Sequence, residues 1–244
     1  MRKATKGIIL AGGSGTRLSP LTKVTSKQLL AIYDQPMIYF TLHTLLKAGI
    51  KEILIITAPD HAGDFLNFLG SGTQFGCRFT YEIQDKPAGL AQGLSLAETF
   101  VGEDSCMMIL GDNIYEYDFT QDVKDFTSGA KIFVKEVPDP ERFGVVEMDA
   151  SGRVLSIEEK PKQPKSHLAQ TGVYIYGSDV FDVIRTIKPS ARGELEITDL
   201  NNAYLAKGEL MANIITGEWI DAGTFESLFK AAEFRRQRVC QEGK

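Results

Sequence analysis

Residues 7–30 read Gly-Ile-Ile-Leu-Ala-Gly-Gly-Ser-Gly-Thr-Arg-Leu-Ser-Pro-Leu-Thr-Lys-Val-Thr-Ser-Lys-Gln-Leu-Leu. Ile8 to Ala11 form a short apolar run suited to a strand buried on both faces, and the glycines after it end that strand abruptly. Gly12, Gly13 and Gly15 have no Cβ, so backbone N–H groups there can approach and face an anion, while Arg17 and Lys27 add fixed positive charge. An isolated glycine cluster beside two solvated cations would be an ordinary turn. Placed directly after the first buried strand, the same cluster points to a polyphosphate ligand.

Two phosphate loops of defined spacing do not fit. A Walker loop needs Gly-Lys followed by Ser or Thr, and the chain has Gly15-Thr16-Arg17. The dinucleotide fingerprint needs a third glycine where Leu18 stands. The stretch does resemble the signature of the sugar nucleotidyltransferases, Gly-Gly-x-Gly-Thr-Arg-Leu followed by a lysine-bearing segment, here Ser26-Lys27-Gln28-Leu29-Leu30. Within that family the likeness is to the thymidylyl-transferring members. One departure is Ala31, where the pattern usually has proline.

Working outward, a helix is expected to open at Gln35-Pro36-Met37 and to run to Gly49, with Ile38, Leu42, Leu45 and Leu46 on one face. Ile53 to Ile56 is a second buried strand, so strand, helix, strand forms a right-handed crossover with ligand loops at the carboxyl ends of the strands. Arg78 to Ile83 and Cys106 to Leu110 read as further strands around a helix from Leu90 to Phe100, and His61 reads as the start of a loop. From Lys131 the pattern changes to alternating strands at 132–134, 145–147, 154–157 and 172–176, an extension of the sheet. A last helix is expected after Thr224, a good N-cap, with Phe225, Leu228, Phe229 and Ala232 on its apolar face.

Composition sets the outer limits. The chain has 244 residues, 43% hydrophobic and 24% charged, enough for the core of one large α/β domain. A formal charge of −5 argues against a general nucleic-acid or membrane surface. No apolar run reaches the roughly 18 residues of a membrane helix, and Met1 to Lys6 lead into a strand rather than a signal segment, so a soluble, cytoplasmic protein is expected. Cys77, Cys106 and Cys240 are too scattered for a disulfide framework or a Cys-x-x-Cys metal site, and His43, His61 and His167 for a catalytic set.

Four further stretches carry possible chemistry. Gln84 to Gly93 lies between strand and helix, where a Pro-Gly turn and a second ligand loop both fit, and the Gln84 amide can match a pyrimidine edge. Asp112, after the run Met107 to Leu110, suits a cation held between phosphates as well as a plain strand-end turn. Glu158-Glu159-Lys160-Pro161 fits a solvated charge cluster or a binding edge. Asp221 follows the apolar segment Ile214 to Ile220, and as a second strand-end carboxylate it is expected to converge with Asp112 on one cation.

The resemblance covers essentially the whole chain and implies more. The fold is α/β, a Rossmann-like, mostly parallel central sheet flanked by helices, with a sugar-binding sheet extension. Residues 1–130 form the nucleotide-binding half of a single domain and 131–244 the sugar-phosphate half. The activity implied is Mg2+-dependent transfer from dTTP to glucose 1-phosphate, giving dTDP-glucose and pyrophosphate. Carried over residue by residue, Arg17, Lys27 and Lys160 are catalytic, and Leu10, Gly12, Gly13, Ser14, Gly15, Thr16, Gln84 and Gly89 bind the nucleotide. Gly144, Glu159, Lys160, Thr171, Val173 and Arg192 bind the sugar phosphate, and Asp112 and Asp221 hold the metal.

Two other readings remain at this level. A pocket for thymine need only tolerate its methyl group, worth about 1–3 kcal/mol, so UTP or another sugar 1-phosphate is an alternative. A non-catalytic sugar-nucleotide-binding regulatory domain is another, against which the joint presence of Arg17, Lys27, Asp112, Lys160 and Asp221 speaks. The chain ends at Lys244, soon after the Trp219 motif, so weak or absent feedback inhibition is expected, and a homo-oligomer through other surfaces stays open.

Overall fold

The structure, a computed structural model, describes residues 4–242; Met1 to Lys3 of the amino-terminal lead lie outside them. Strand β1 (Thr5–Ala11) alternates Ile8 and Leu10 toward one face and Ile9 and Ala11 toward the other, and both faces are covered. A two-residue ribbon follows, β2 (Ala31–Ile32) with β3 (Gln35–Pro36), and then α1 (Ile38–Lys47), β4 (Glu52–Thr57) and α2 (Ala62–Leu69). Next come β5 (Arg78–Ile83), α3 (Leu90–Ser95), α4 (Glu98–Val101) and β6 (Ser105–Leu110). Strands β6, β1, β4 and β5 lie side by side and parallel. Their carboxyl ends therefore open at one edge, where the glycine loop, Gln84 and Asp112 follow directly.

The second half extends the sheet with antiparallel pairings and one parallel pair. It comprises β7 (Asn113–Tyr115), α5 (Thr120–Asp125), β8 (Ala130–Glu136), β9 (Gly144–Met148), β10 (Val154–Glu159) and β11 (Leu168–Tyr176). Then follow α6 (Val180–Ile184), α7 (Ile197–Lys207), β12 (Leu210–Ile214), β13 (Trp219–Asp221) and α8 (Phe225–Glu242). Among the described residues the main sheet has nine strands, in the order β10-β9-β11-β6-β1-β4-β5, with β8 joining β11 to β12, which runs parallel to β8. Because β11 runs against β6, its start reaches the ligand edge, and the β9–β10 pairing sets Gly144 opposite Glu159 at the same edge.

One apolar core lies under α3, α6 and α7, a second under α1 and α2, and a third and smaller one joins Ile32, Met37, Ile114, Ile220 and Ala231 beneath α8. All three cysteines are free thiols; burial pushes that of Cys106 up to about 12. No helix among the described residues is long and apolar enough to cross a membrane.

Several expectations need correction. Gln35 and Pro36 do not open α1: Pro36 pairs with Ala31 in the ribbon, the Met37 N–H donates to Leu30 O at 2.9 Å, and the helix starts at Ile38. The single helix expected over Leu90 to Phe100 is two short ones. His61 leads into α2, whose buried Phe65 and Leu69 are too few to declare a helical period. In α8 the buried side is that of Ala231 with Leu228 and Phe234, while Phe225 and Phe229 are exposed; a small residue makes the close contact, and the large ones mislead. Thr224 does cap α8, its Oγ1 accepting from the Ser227 N–H at 3.2 Å.

Candidate active site

The strand ends surround a cavity of about 700 Å3. Gly15, at φ 62°, turns the glycine loop into a short 3-10 turn, Thr16–Leu18, which presents the exposed Arg17. A second such turn, Lys27–Leu29, delivers Lys27 onto Asp112, and the two form an ion pair. Both oxygens of Asp112 are engaged, since Asn113 Nδ2 donates to its Oδ1 at 2.8 Å and Lys27 holds its Oδ2. Trp219 Nε1 in turn donates to Asn113 Oδ1 at 2.6 Å.

Asp221 reaches the same place by a route the sequence did not announce. The apolar segment Ile214 to Ile220 is not one strand: β12 ends at Ile214, the chain turns at Gly217, and β13 pairs antiparallel with β7 outside the main sheet. The register of that ribbon puts Asp221 opposite Asn113, beside Asp112. Burial pushes the Asp112 carboxyl up, but Lys27 and Asn113 outweigh it and hold it below its ordinary value. Burial and the neighbouring charge of Asp112 push Asp221 the other way, only partly offset by Lys27, Arg17 and Arg142. Among the described residues Asp221 makes no ion pair, and its Oδ1 accepts only from the Gly223 N–H, at 3.1 Å. Two converging carboxylates, one of them under-compensated, fit a hard divalent cation that takes its remaining oxygens from phosphate and water. No group of three or more His, Cys, Asp and Glu side chains that could hold a metal ion stands among the described residues.

In the second ligand loop Gln84 Nε2 donates to Gln92 Oε1 at 2.6 Å, and its Oε1 lies over the backbone of Gly12. Gly89 has φ 104°, and a Cβ there would stand 2.3 Å from Leu195 O. Two backbone hydrogen bonds, Ala91 N–H to Leu195 O and Leu195 N–H to Ala88 O, stitch this loop to the segment before α7. Gly89 is thus required by packing between the two halves.

After β10, Lys160 adopts a left-handed φ of 44°, held by its N–H donating to Phe143 O at 3.0 Å. Its Nζ lies 3.4 Å from Glu159 Oε1, with Arg192 Nη2 at 3.8 Å from the same oxygen. Arg192 is clamped mainly by Glu196, at 2.9 and 3.0 Å.

The cavity brings together Leu10, Gly12, Gly13, Thr16, Arg17, Lys27, Gln84, Gly89, Asp112, Gly144, Glu159, Lys160, Thr171, Arg192 and Asp221. Ser14 faces an adjoining cavity of about 340 Å3 with Thr22 and Thr25, and Gly15 serves as the turn. Val173 is not among the residues lining the cavity; its side chain is fully buried in the core with Ile109 and Ile175. Sequence reasoning assigned no role to Arg142, Asn113, Gln170 or Trp219, all of which line the cavity. Arg142 lies two residues before Gly144 and Trp219 two before Asp221, both carried-over positions, but nothing local marks Gln170.

Residues 6–238 match the nucleotidyl transferase family. The chain belongs to that family. Among relatives of this nucleotidyl transferase, the glucose-1-phosphate thymidylyltransferase of Neisseria meningitidis serogroup A is 51% identical over 94% of this chain and 82% of its own length. That of Mycolicibacterium smegmatis is 46% identical over 98% and 84%. A crystal structure from Bacillus anthracis, provisionally named glucose-1-phosphate thymidylyltransferase and solved with sucrose, superposes with a TM-score of 0.91 at 52% identity over 96% of each chain. A UDP-glucose pyrophosphorylase complexed with UDP-glucose shares the fold at a TM-score of 0.85 and 24% identity, over 96% of this chain and 99% of that one.

Proposed function

We propose that this nucleotidyl transferase joins dTTP to glucose 1-phosphate, releasing pyrophosphate and dTDP-glucose, with residues 1–130 serving the nucleotide and 131–244 the sugar phosphate within one domain. The observation that carries the reading is the composition of one cleft, which Arg17, Lys27, Asp112 and Asp221 line together with Glu159, Lys160 and Arg192. Names of relatives at 46–52% identity support the choice of substrates.

The attacking phosphate oxygen of glucose 1-phosphate is already ionised, so no general base or covalent nucleophile is needed. A bond forms from that oxygen to the α-phosphorus as the bond from the α-phosphorus to the bridging oxygen breaks, and pyrophosphate leaves. Backbone N–H groups of Gly12 and Gly13, with Arg17 and Lys27, stabilise charge on the triphosphate. Lys160 and Arg192 orient the sugar phosphate, which converts a bimolecular encounter into a positioned one. The Gln84 amide, steadied by Gln92, reads the edge of the base. Asp112 and Asp221 are the residues that would hold Mg2+, whose chemistry is charge compensation between the phosphates.

Pyrophosphate release measured with a panel of nucleoside triphosphates and hexose 1-phosphates tests the reading. The highest kcat/KM is expected for dTTP with glucose 1-phosphate. A higher value for UTP or another sugar overturns the substrate choice, and tight sugar-nucleotide binding without release under any combination overturns the enzyme.

A further inference from the structure

Behind the sugar-side wall runs a line of hydrogen bonds that the proposed reaction does not use. The Tyr176 hydroxyl donates to Asn201 Oδ1 at 2.7 Å, and Asn201 Nδ2 donates to Gln170 Oε1 at 2.7 Å. Gln170 Nε2 donates to Thr198 Oγ1 at 3.2 Å, and the Thr198 hydroxyl donates to Glu159 Oε2 at 2.7 Å. Strand β11 supplies Tyr176 and Gln170, α7 supplies Asn201 and Thr198, and β10 ends at Glu159. The four residues behind Glu159 are at most 5% exposed.

The line has one direction. Thr198 has a single hydroxyl proton, and because its oxygen accepts from Gln170, that proton goes to Glu159. Each amide uses its oxygen toward Tyr176 and its nitrogen toward Glu159, so neither can flip without breaking two bonds. The consequence falls on Glu159. Its Oε2 is tied back to α7, and Oε1 alone is left toward the cleft, near Lys160 and Arg192. Buried polar side chains are costly unless fully partnered, and apolar residues at 170, 198 and 201 would fill the space without that risk. Gly144 belongs to the same device, since a Cβ there would stand 2.2 Å from Gln170 Nε2 and 3.1 Å from Thr198 Oγ1.

We propose that Gln170, Thr198 and Asn201 are positioning residues that fix Glu159 so that one carboxylate oxygen is presented to a hydroxyl of the hexose, and that they set discrimination among hexose 1-phosphates. The proposal rests on the sugar-phosphate reading of the cleft. It is tested by steady-state kinetics of Thr198→Val, Thr198→Ser and Asn201→Leu with dTTP and either glucose 1-phosphate or its 4-epimer, galactose 1-phosphate. Thr198→Val, which keeps the volume and loses the proton, is expected to raise KM for glucose 1-phosphate about tenfold, the scale of one hydrogen bond to a charged group. KM for dTTP stays within about twofold, the preference for glucose over galactose narrows, and Thr198→Ser restores both. Asn201→Leu, three hydrogen bonds away from Glu159, gives the same pattern in weaker form.

Equal losses for both substrates, or an unchanged sugar preference in a folded Thr198→Val, overturn the relay. Should Thr198→Val not fold, Tyr176→Phe decides, because it deletes only the far hydroxyl: an unchanged KM and preference overturn the proposal. Absence of turnover by the wild type with every hexose 1-phosphate overturns instead the reading on which it rests.

Discussion

The two rims of the cleft handle charge in opposite ways. On the nucleotide rim Arg17 makes no ion pair among the described residues, and the partner of Lys27 is a carboxylate suited to a metal. On the sugar rim Lys160 is matched by Glu159, and Arg192 by Glu196, Glu194 and Glu159. A rim with one unpaired arginine and carboxylates suited to a metal fits a ligand that brings several negative charges. A balanced rim suits a ring of neutral hydroxyls with a single phosphate, where direction matters more than attraction. The nucleotide rim is accordingly made of backbone and loop ends, and the sugar rim of side chains locked from behind.

The largest expected effect tests the nucleotide rim at Asp221. Asp221→Asn should lower kcat by about a hundredfold or more, the scale of removing one fixed partner of transition-state charge, and weaken the magnesium dependence. The fold should survive, because loss of the charge relieves repulsion with Asp112. A pH series on the metal-free protein sharpens this. The unfolded chain releases the Asp221 proton near 3.8 and the folded chain at a higher pH. The stability from this group is therefore full below 3.8 and is lost as pH rises through the raised folded value. Thermal unfolding of Asp221→Asn should lack that part of the slope; near-normal turnover or an unchanged slope would break the assignment.

Next in size is the balanced rim. Gly144→Ala inserts a methyl against the Gln170 amide and should destabilise the protein by about 1–3 kcal/mol, as overpacking does, with a visibly lower Tm. The same variant should raise KM for glucose 1-phosphate more than KM for dTTP. A substitution that lowers Tm and leaves both KM values alone would mean that Gly144 supports packing only.

How legible each rim was in the sequence follows from the same contrast. The glycine loop and Asp112 follow the ends of β1 and β6, and Arg17 and Lys27 belong to the stretch that continues the glycine loop, so the local pattern brings all of them into view. Asp221 was legible as a residue but not as a geometry: the short β13–β7 ribbon, not a main-sheet strand, carries it. Gln170, Thr198 and Asn201 carry no local signal, since their contacts join β11 to α7 across long stretches of chain. Val173 was carried over from the family resemblance, which says nothing of burial, and its side chain lies in the core.

A third and smaller effect separates the rims by substrate. Gln84→Ala removes an amide whose oxygen faces the glycine loop, and it should raise KM for dTTP about tenfold while KM for glucose 1-phosphate holds. Equal shifts in both would assign Gln84 to loop shape, an outcome made concrete by the stitching of this loop to Leu195.

The smallest effect lies where the rims meet, at Trp219. Its ring packs on Phe143 from the sugar side at 5.2 Å between centroids, and its Nε1 holds Asn113, which holds Asp112 on the nucleotide side. Trp219→Phe keeps the ring and deletes the donor. Asn113 then loses one of its fixed contacts, and its amide is free to turn away from Asp112 Oδ1. Lys27 still holds the other oxygen, so the carboxylate is loosened and not lost. One neutral hydrogen bond of about 1 kcal/mol corresponds to a few-fold fall in kcat, with both KM values nearly unchanged. Trp219→Leu, which also removes the contact with Phe143, should add a rise in KM for glucose 1-phosphate to the same loss of kcat. If Trp219→Phe alone moved the sugar KM, the indole would belong to the sugar rim, and the division between a charged rim and an oriented one would have to be redrawn at this residue.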